Sequence, residues 1–214
     1  MNTTIIFDLD GTLIDSAAGV LAAFGGAFNA RGIIPSRPLS LDIIGPPLME
    51  TLGNLAGTNE LAVLQPLAEA FKANYDEDGY RLIEIFPGMD EMLSGLSARG
   101  HELHIATNKR ILPTRRILAH LGWEKYFQGV YALDAFSPPL KSKANMLGAI
   151  LAERGLDPRA TLYIGDRQED GEAALANNIR FLLAVWGYDE LGDCAWEKLF
   201  SPDYLMEMVG ARND

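Results

Sequence analysis

Cysteine is nearly absent from this sequence: Cys194 is the only one. No intrachain disulfide can form, and a reducing cytoplasm is the expected compartment. No histidine and acid accompany Cys194 in a nucleophile pattern, so it is assigned no chemistry. Long apolar runs are missing too, since nothing approaches the ~18 uninterrupted residues that a membrane-spanning helix needs. The opening "MNTTIIFDLD" has no basic segment ahead of its apolar residues, and no signal peptide is expected. Basic residues are outnumbered, 18 Lys and Arg against 29 Asp and Glu, for a net charge of −11. That balance argues against nucleic acid and against an anionic membrane surface, both of which call for clustered cations. The histidines, His101, His104 and His120, lack metal-ligand spacing and are expected to be structural. Trp123, Trp186 and Trp196 are read as packing residues. Nothing in the sequence specifies an oligomeric state.

What is present is ordinary globular composition, 48% hydrophobic and 22% charged over 214 residues. That length predicts one large domain, or one with an insertion. Short apolar runs alternate with helical patterns, which predicts βαβ units around a parallel sheet. The expected strands are "TIIF", "ELHIAT" at 102–107, "GVYAL" at 129–133, "TLYIG" at 161–165 and "RFLLAVW" at 180–186. Pro113 suits a helix start and Gly122 its stop; Ser142 and Gly155 bracket another helix. The segment 16–84 breaks the alternation. "SAAGVLAAFGGAFNARG" and "NELAVLQPLAEAFKANYDEDG" look helical, with a Pro- and Gly-broken stretch between them. The reading is a doubly wound, Rossmann-like α/β core (1–15 and 85–214) carrying an inserted helical cap (16–84), with hinges near 15–16 and 86–88.

Chemistry concentrates at strand ends. If the first strand runs through Asp8 and Asp10, pleating projects both to one side, and Gly11 lets the backbone approach a ligand closely. Asp166 and Asp170 follow another strand in "YIGDRQED". In open α/β sheets ligands sit beyond the carboxyl ends of strands, so these carboxylates are expected to share one crevice. Such crowding costs several kcal/mol, of order, unless protons or a cation neutralise it. Hard oxygen donors favour Mg²⁺. Thr107 and Asn108 end the second strand where a hydroxyl and backbone amides can hold phosphate oxygens. Lys141 or Lys143 is placed to neutralise an anionic substrate or nucleophile. Lys109 is read as either edging that site or solvated, and Arg37, Gly45 and Pro46 as either facing substrate or joining helices.

Taken in order, "DLDGTLIDS", "ATN", a following lysine and "GDRQED" resemble the four motifs of the haloacid dehalogenase superfamily, in the subgroup with a helical cap that includes phosphoglycolate phosphatases. The resemblance implies that Asp8 is the nucleophile and Asp10 the general acid, then base. It implies Mg²⁺ held by Asp8, the Asp10 carbonyl and Asp166, with Asp170 orienting water. Thr107 and Asn108 would grip the phosphoryl group of a small-molecule phosphate ester. Many relatives have Lys-Pro at the third motif, whereas here Pro138 and Pro139 precede Lys141; "SKANML" favours Lys143. The expected activity is that of a phosphatase for phosphoglycolate-like esters or sugar phosphates. A capped sugar phosphomutase and a non-hydrolytic, phospho-accepting receiver-type module are the alternatives.

Overall fold

In the computed structural model, residues 3–189 and 195–210 are described, and Cys194 lies outside them. The strands are β1 (Thr4–Phe7), β2 (Ile14–Asp15), β3 (Glu84–Ile85), β4 (Glu102–Thr107), β5 (Gly129–Ala132), β6 (Thr161–Gly165), β7 (Arg180–Ala184) and β8 (Lys198–Leu199). Six form one parallel sheet in the order β5-β4-β1-β6-β7-β8. The helices are α1 (Ala17–Ala30), α2 (Leu48–Ala56), α3 (Leu61–Glu77), α4 (Met89–Ala98), α5 (Ile111–Leu121), α6 (Lys143–Arg154), α7 (Gln168–Ala176) and α8 (Pro202–Gly210). Strand side chains alternate faces, and both faces are covered. Ile5, Phe7, Leu103 and Ile105 pack with Met92, Leu93, Ile117 and Leu205 of the helices on one side. Ile6, Ala106, Tyr163 and Phe181 pack with Met146, Leu147, Ile150 and Ala173 on the other. The sheet is doubly wound, as the βαβ alternation predicts.

Helices α1 to α3 lie between β2 and β3 and build a separate apolar cluster around Phe24, Phe28, Leu52, Leu67 and Phe71. Where this insertion begins and ends, β2 and β3 pair antiparallel, Ile14 with Ile85 and Asp15 with Glu84. The local grammar of the core holds. Ser142 caps α6 by accepting from the Asn145 amide at 3.2 Å, and Gly122 and Gly155 close α5 and α6 in the left-handed region. Three expectations need correction. The first strand stops at Phe7, so a turn, and not pleating, sets where Asp8 and Asp10 point. The third and fifth strands end earlier than expected, at Ala132 and Ala184. A helix, α2, forms inside the Pro- and Gly-broken stretch, because Pro47 opens it and Gly57 stops it.

Candidate active site

Three strands of the central sheet deliver the site at their carboxyl ends: β1 leads into Asp8, β4 ends on Thr107, and β6 leads into Asp166. Asp8, Asp166 and Asp170 each offer a carboxylate oxygen within 4.8 Å of the others, and all three are buried. Lys143, 2% exposed, opens α6 and sends its Nζ into this cluster, 3.1 Å from Asp8 Oδ2 and 2.5 Å from Asp170 Oδ1. Lys141 is exposed. The two-residue difference decides their fates, because only Lys143 sits on the first turn of α6 facing the sheet. Tyr163 donates to Asp170 Oδ1 at 2.9 Å, and the Arg167 amide donates to Asp170 Oδ2 at 3.0 Å, which ties Asp170 to the start of α7. Asp166 accepts from the Tyr188 amide at 2.8 Å and from Thr12 Oγ1 at 3.4 Å.

Burial controls the charge state of these acids. It pushes Asp8 up to about 7, with Asp170 and Asp10 adding to the rise and Lys143 opposing it. Burial, followed by the charges of Asp170 and Asp8, raises Asp166 to about 8. Lys143 moves the opposite way to a lone buried amine: burial disfavours its charge, but Asp170 and Asp8 outweigh that and hold it above the usual lysine range. Among the described residues Asp8 Oδ1 is buried with no hydrogen-bond partner, in a residue clustered with two further carboxylates. That donor set is all hard oxygen and suits a divalent cation such as Mg²⁺. Gly11 makes the crowding possible. Its φ is +80°, and a Cβ there would overlap Asp166 Oδ2. Its amide donates to the Ile14 carbonyl at 2.8 Å.

Asp10 is buried beside the three-acid cluster without being part of it. Its Oδ1 accepts from Ser16 Oγ and, at 2.9 Å, from Lys109 Nζ. Lys109 is therefore at the site, with its ammonium also 4.7 Å from the centre of the Tyr75 ring. Thr107 is buried and its Oγ1 accepts from the Lys109 amide at 3.2 Å. Asn108 Nδ2 donates to the Gly45 carbonyl at 3.1 Å and to Glu169 Oε2 at 3.1 Å, so this side chain joins the core to the inserted helices. Gly45 and Pro46 line the cavity beside Asp10, whereas Arg37 pairs with Asp42 at an exposed position. His101 and His104 are buried and His120 is exposed. None of the three belongs to the acidic site, and the tryptophans pack: Trp123 is 1% exposed and Trp196 meets Phe181 edge-on.

Several residues that sequence reasoning left unassigned hold the insertion against the core. Arg167 donates through one guanidinium nitrogen to the Leu41 carbonyl at 3.1 Å and to the Ile44 carbonyl, and through another to Asp189. Arg110 spans both oxygens of Asp76, one of them at 3.0 Å. Tyr188 Oη donates to Asp15 Oδ1 and accepts from the Ser16 amide, both at 2.8 Å. Arg167 was visible inside "GDRQED", but its partners lie 123 and 126 residues away, and no local pattern announces them.

The sequence profile of the family described as haloacid dehalogenase-like hydrolase matches residues 5–184. Tyrosine-protein kinase PtkA of Mycobacterium tuberculosis (strain ATCC 25618 / H37Rv) is 36% identical over 86% of this chain, which spans 62% of that protein's length. Phosphoglycolate phosphatase of Xylella fastidiosa (strain Temecula1 / ATCC 700964) is 32% identical over 86% of this chain and 81% of its own length. Among solved structures, a haloacid dehalogenase-like hydrolase, SP0104 from Streptococcus pneumoniae, matches with a TM-score of 0.83 at 26% identity, covering 97% of this chain and 98% of that one. The matched span contains Asp8, Lys143, Asp166 and Asp170, the residues that the fold gathers beyond the carboxyl ends of the central strands. This chain therefore belongs to the haloacid dehalogenase-like hydrolase family.

Proposed function

We propose that the protein is a Mg²⁺-dependent phosphatase of small organic phosphomonoesters, working through a phosphoryl group carried on Asp8. The observation that supports this most directly is the buried meeting of Asp8 with Lys143 and two further acids, with Asp8 Oδ1 left unpartnered. In this reading Mg²⁺ would be held by Asp8, Asp166 and the Asp10 carbonyl, with Asp170 orienting bound water. When bound, the ion neutralises the charge of the phosphoryl oxygens. An Asp8 carboxylate oxygen attacks phosphorus as the bond to the leaving oxygen breaks, and protonated Asp10 gives that oxygen its proton. Water then attacks the phospho-aspartate, its proton passing to Asp10, and the Asp8–phosphorus bond breaks to release inorganic phosphate. Lys143 holds the attacking carboxylate in place. Ser16 and Lys109 orient Asp10, and Thr107 lends its hydroxyl hydrogen to a phosphoryl oxygen. Asn108 contributes to the phosphate cradle through its backbone amide, and Gly11, whose own amide is bound to Ile14, by letting the backbone pack closely against Asp166.

The helices of 16–84 act as the cap over a core formed by 1–15 and 85–214, and closure excludes bulk water from the phosphoryl group. The contacts of Arg167 and Asn108 with the 41–45 loop support this arrangement. The test is phosphate release from a panel of phosphomonoesters with and without Mg²⁺, for the natural protein and for Asp8→Asn. Release is expected only from the natural protein with the ion present. An Asp8→Asn variant turning over at the natural rate refutes the mechanism.

A further inference from the structure

A cavity of ≈ 60 Å³ opens beside Asp10, between the core and the inserted helices. It is lined by Asp10, which in the phosphatase reading on which this inference rests protonates the leaving oxygen. Its wall on the insertion side is apolar, from Val20, Phe24, Ile44, Leu48, Phe71 and Tyr75. Three of these form a row of rings: Phe24 and Phe71 have centroids 4.5 Å apart, and Phe71 and Tyr75 5.6 Å. Such a row offers faces and edges against which another ring packs.

The charged groups of the same cavity are already committed. Lys109 is bound to Asp10, and Arg110 spans both carboxylate oxygens of Asp76. Asn108 spends its amide hydrogens on Gly45 and Glu169. A carboxylate-bearing leaving group such as glycolate would be buried here against two cations that each hold a carboxylate already. A polyhydroxylated one would lose water at every hydroxyl and find few partners in return. Few polar handles remain: among the described residues, the Tyr75 hydroxyl and Asn108 Oδ1 are buried without a hydrogen-bond partner.

We propose that the substrate is the phosphate monoester of a compact, uncharged aromatic alcohol, with its ring against Phe24, Phe71 and Tyr75 and few polar substituents. The ester bond cleaved is the same as in the general phosphatase reaction; what the cavity selects is the group that leaves. The test compares benzyl phosphate, phosphoglycolate and glycerol phosphate, all esters of primary alcohols with similar leaving-group basicity. Benzyl phosphate is expected to lead in kcat/KM by about tenfold or more, the scale set by burying a single ring. The same ranking is expected in equilibrium binding to Asp8→Asn by calorimetry. Leu48→Arg, which brings a fresh cation to the cavity wall, should narrow the ratio in favour of phosphoglycolate. Equal or reversed ranking overturns this inference while leaving the phosphatase reading intact. Selective binding of benzyl phosphate without any phosphate release sinks the phosphatase reading and keeps the selectivity.

Discussion

Replacing Lys143 by methionine removes a charge while keeping most of the side chain's length. The lysine is 2% exposed and lies between Asp8 and Asp170, whose side chains are 3% and 0% exposed. Taking away one partner of a buried ion pair costs about 3–5 kcal/mol, since the remaining charge is left uncompensated. For a domain of this size each kcal/mol shifts Tm by about 2–4 °C, so a fall of roughly 6–20 °C is expected. The loss should depend on pH, with a definite sign. Lys143 is held above the ordinary lysine range, so its stabilising charge is fully present throughout pH 5–8. Asp8 is raised from 3.8 to about 7 by burial, and Lys143 is the neighbour that pulls it down. At pH 5 Asp8 is largely protonated in the native state and loses little when the lysine goes. At pH 8 it is ionised in the natural protein, and the variant either bears an unpaired anion or keeps a proton that the unfolded chain has released. Stability of the variant must then fall further as pH rises through neutrality. Thermal unfolding followed by circular dichroism in EDTA, at pH 5 and pH 8, reads this directly. Mg²⁺ added at pH 8 should return part of the deficit, because the cation replaces lost positive charge. Equal melting temperatures at pH 8, or a deficit of the same size at both pH values, would refute the reasoning.

Two further substitutions probe how the site is held. Gly11→Ala forces a side chain onto a φ of +80° and into Asp166 Oδ2; we expect Mg²⁺ affinity, measured by calorimetry, to weaken at least about tenfold as Asp166 is displaced. Unchanged affinity would mean that Asp166 is not a ligand. Arg167→Ala removes donors from the Leu41 and Ile44 carbonyls. Losing about 1–3 kcal/mol from the closed arrangement should lower kcat/KM roughly 5- to 150-fold. No change in kcat/KM would show that these bonds do not govern closure.

The layered core and the carboxylates beyond its strands were legible because they are local. The βαβ alternation appears as apolar runs, the caps of α6 as Ser142 and Gly155, and the acidic pairs as motifs next to strands. Tertiary structure decided what depends on partners remote in sequence. Strand pleating predicted Asp8 and Asp10 on one side, but the chain leaves the sheet at Phe7, and the turn sends Asp10 to Ser16 and Lys109. Spacing left both Lys141 and Lys143 open, and only the packing of α6 against the sheet buries the latter between Asp8 and Asp170. The strands β2, β3 and β8 are two residues each, too short for any period to show. The hold of Arg167 and Asn108 on the 41–45 loop joins residues more than 60 apart. A sequence records which groups can bond and at what local interval. Which distant group each one meets is settled only when burial removes water as the competing partner.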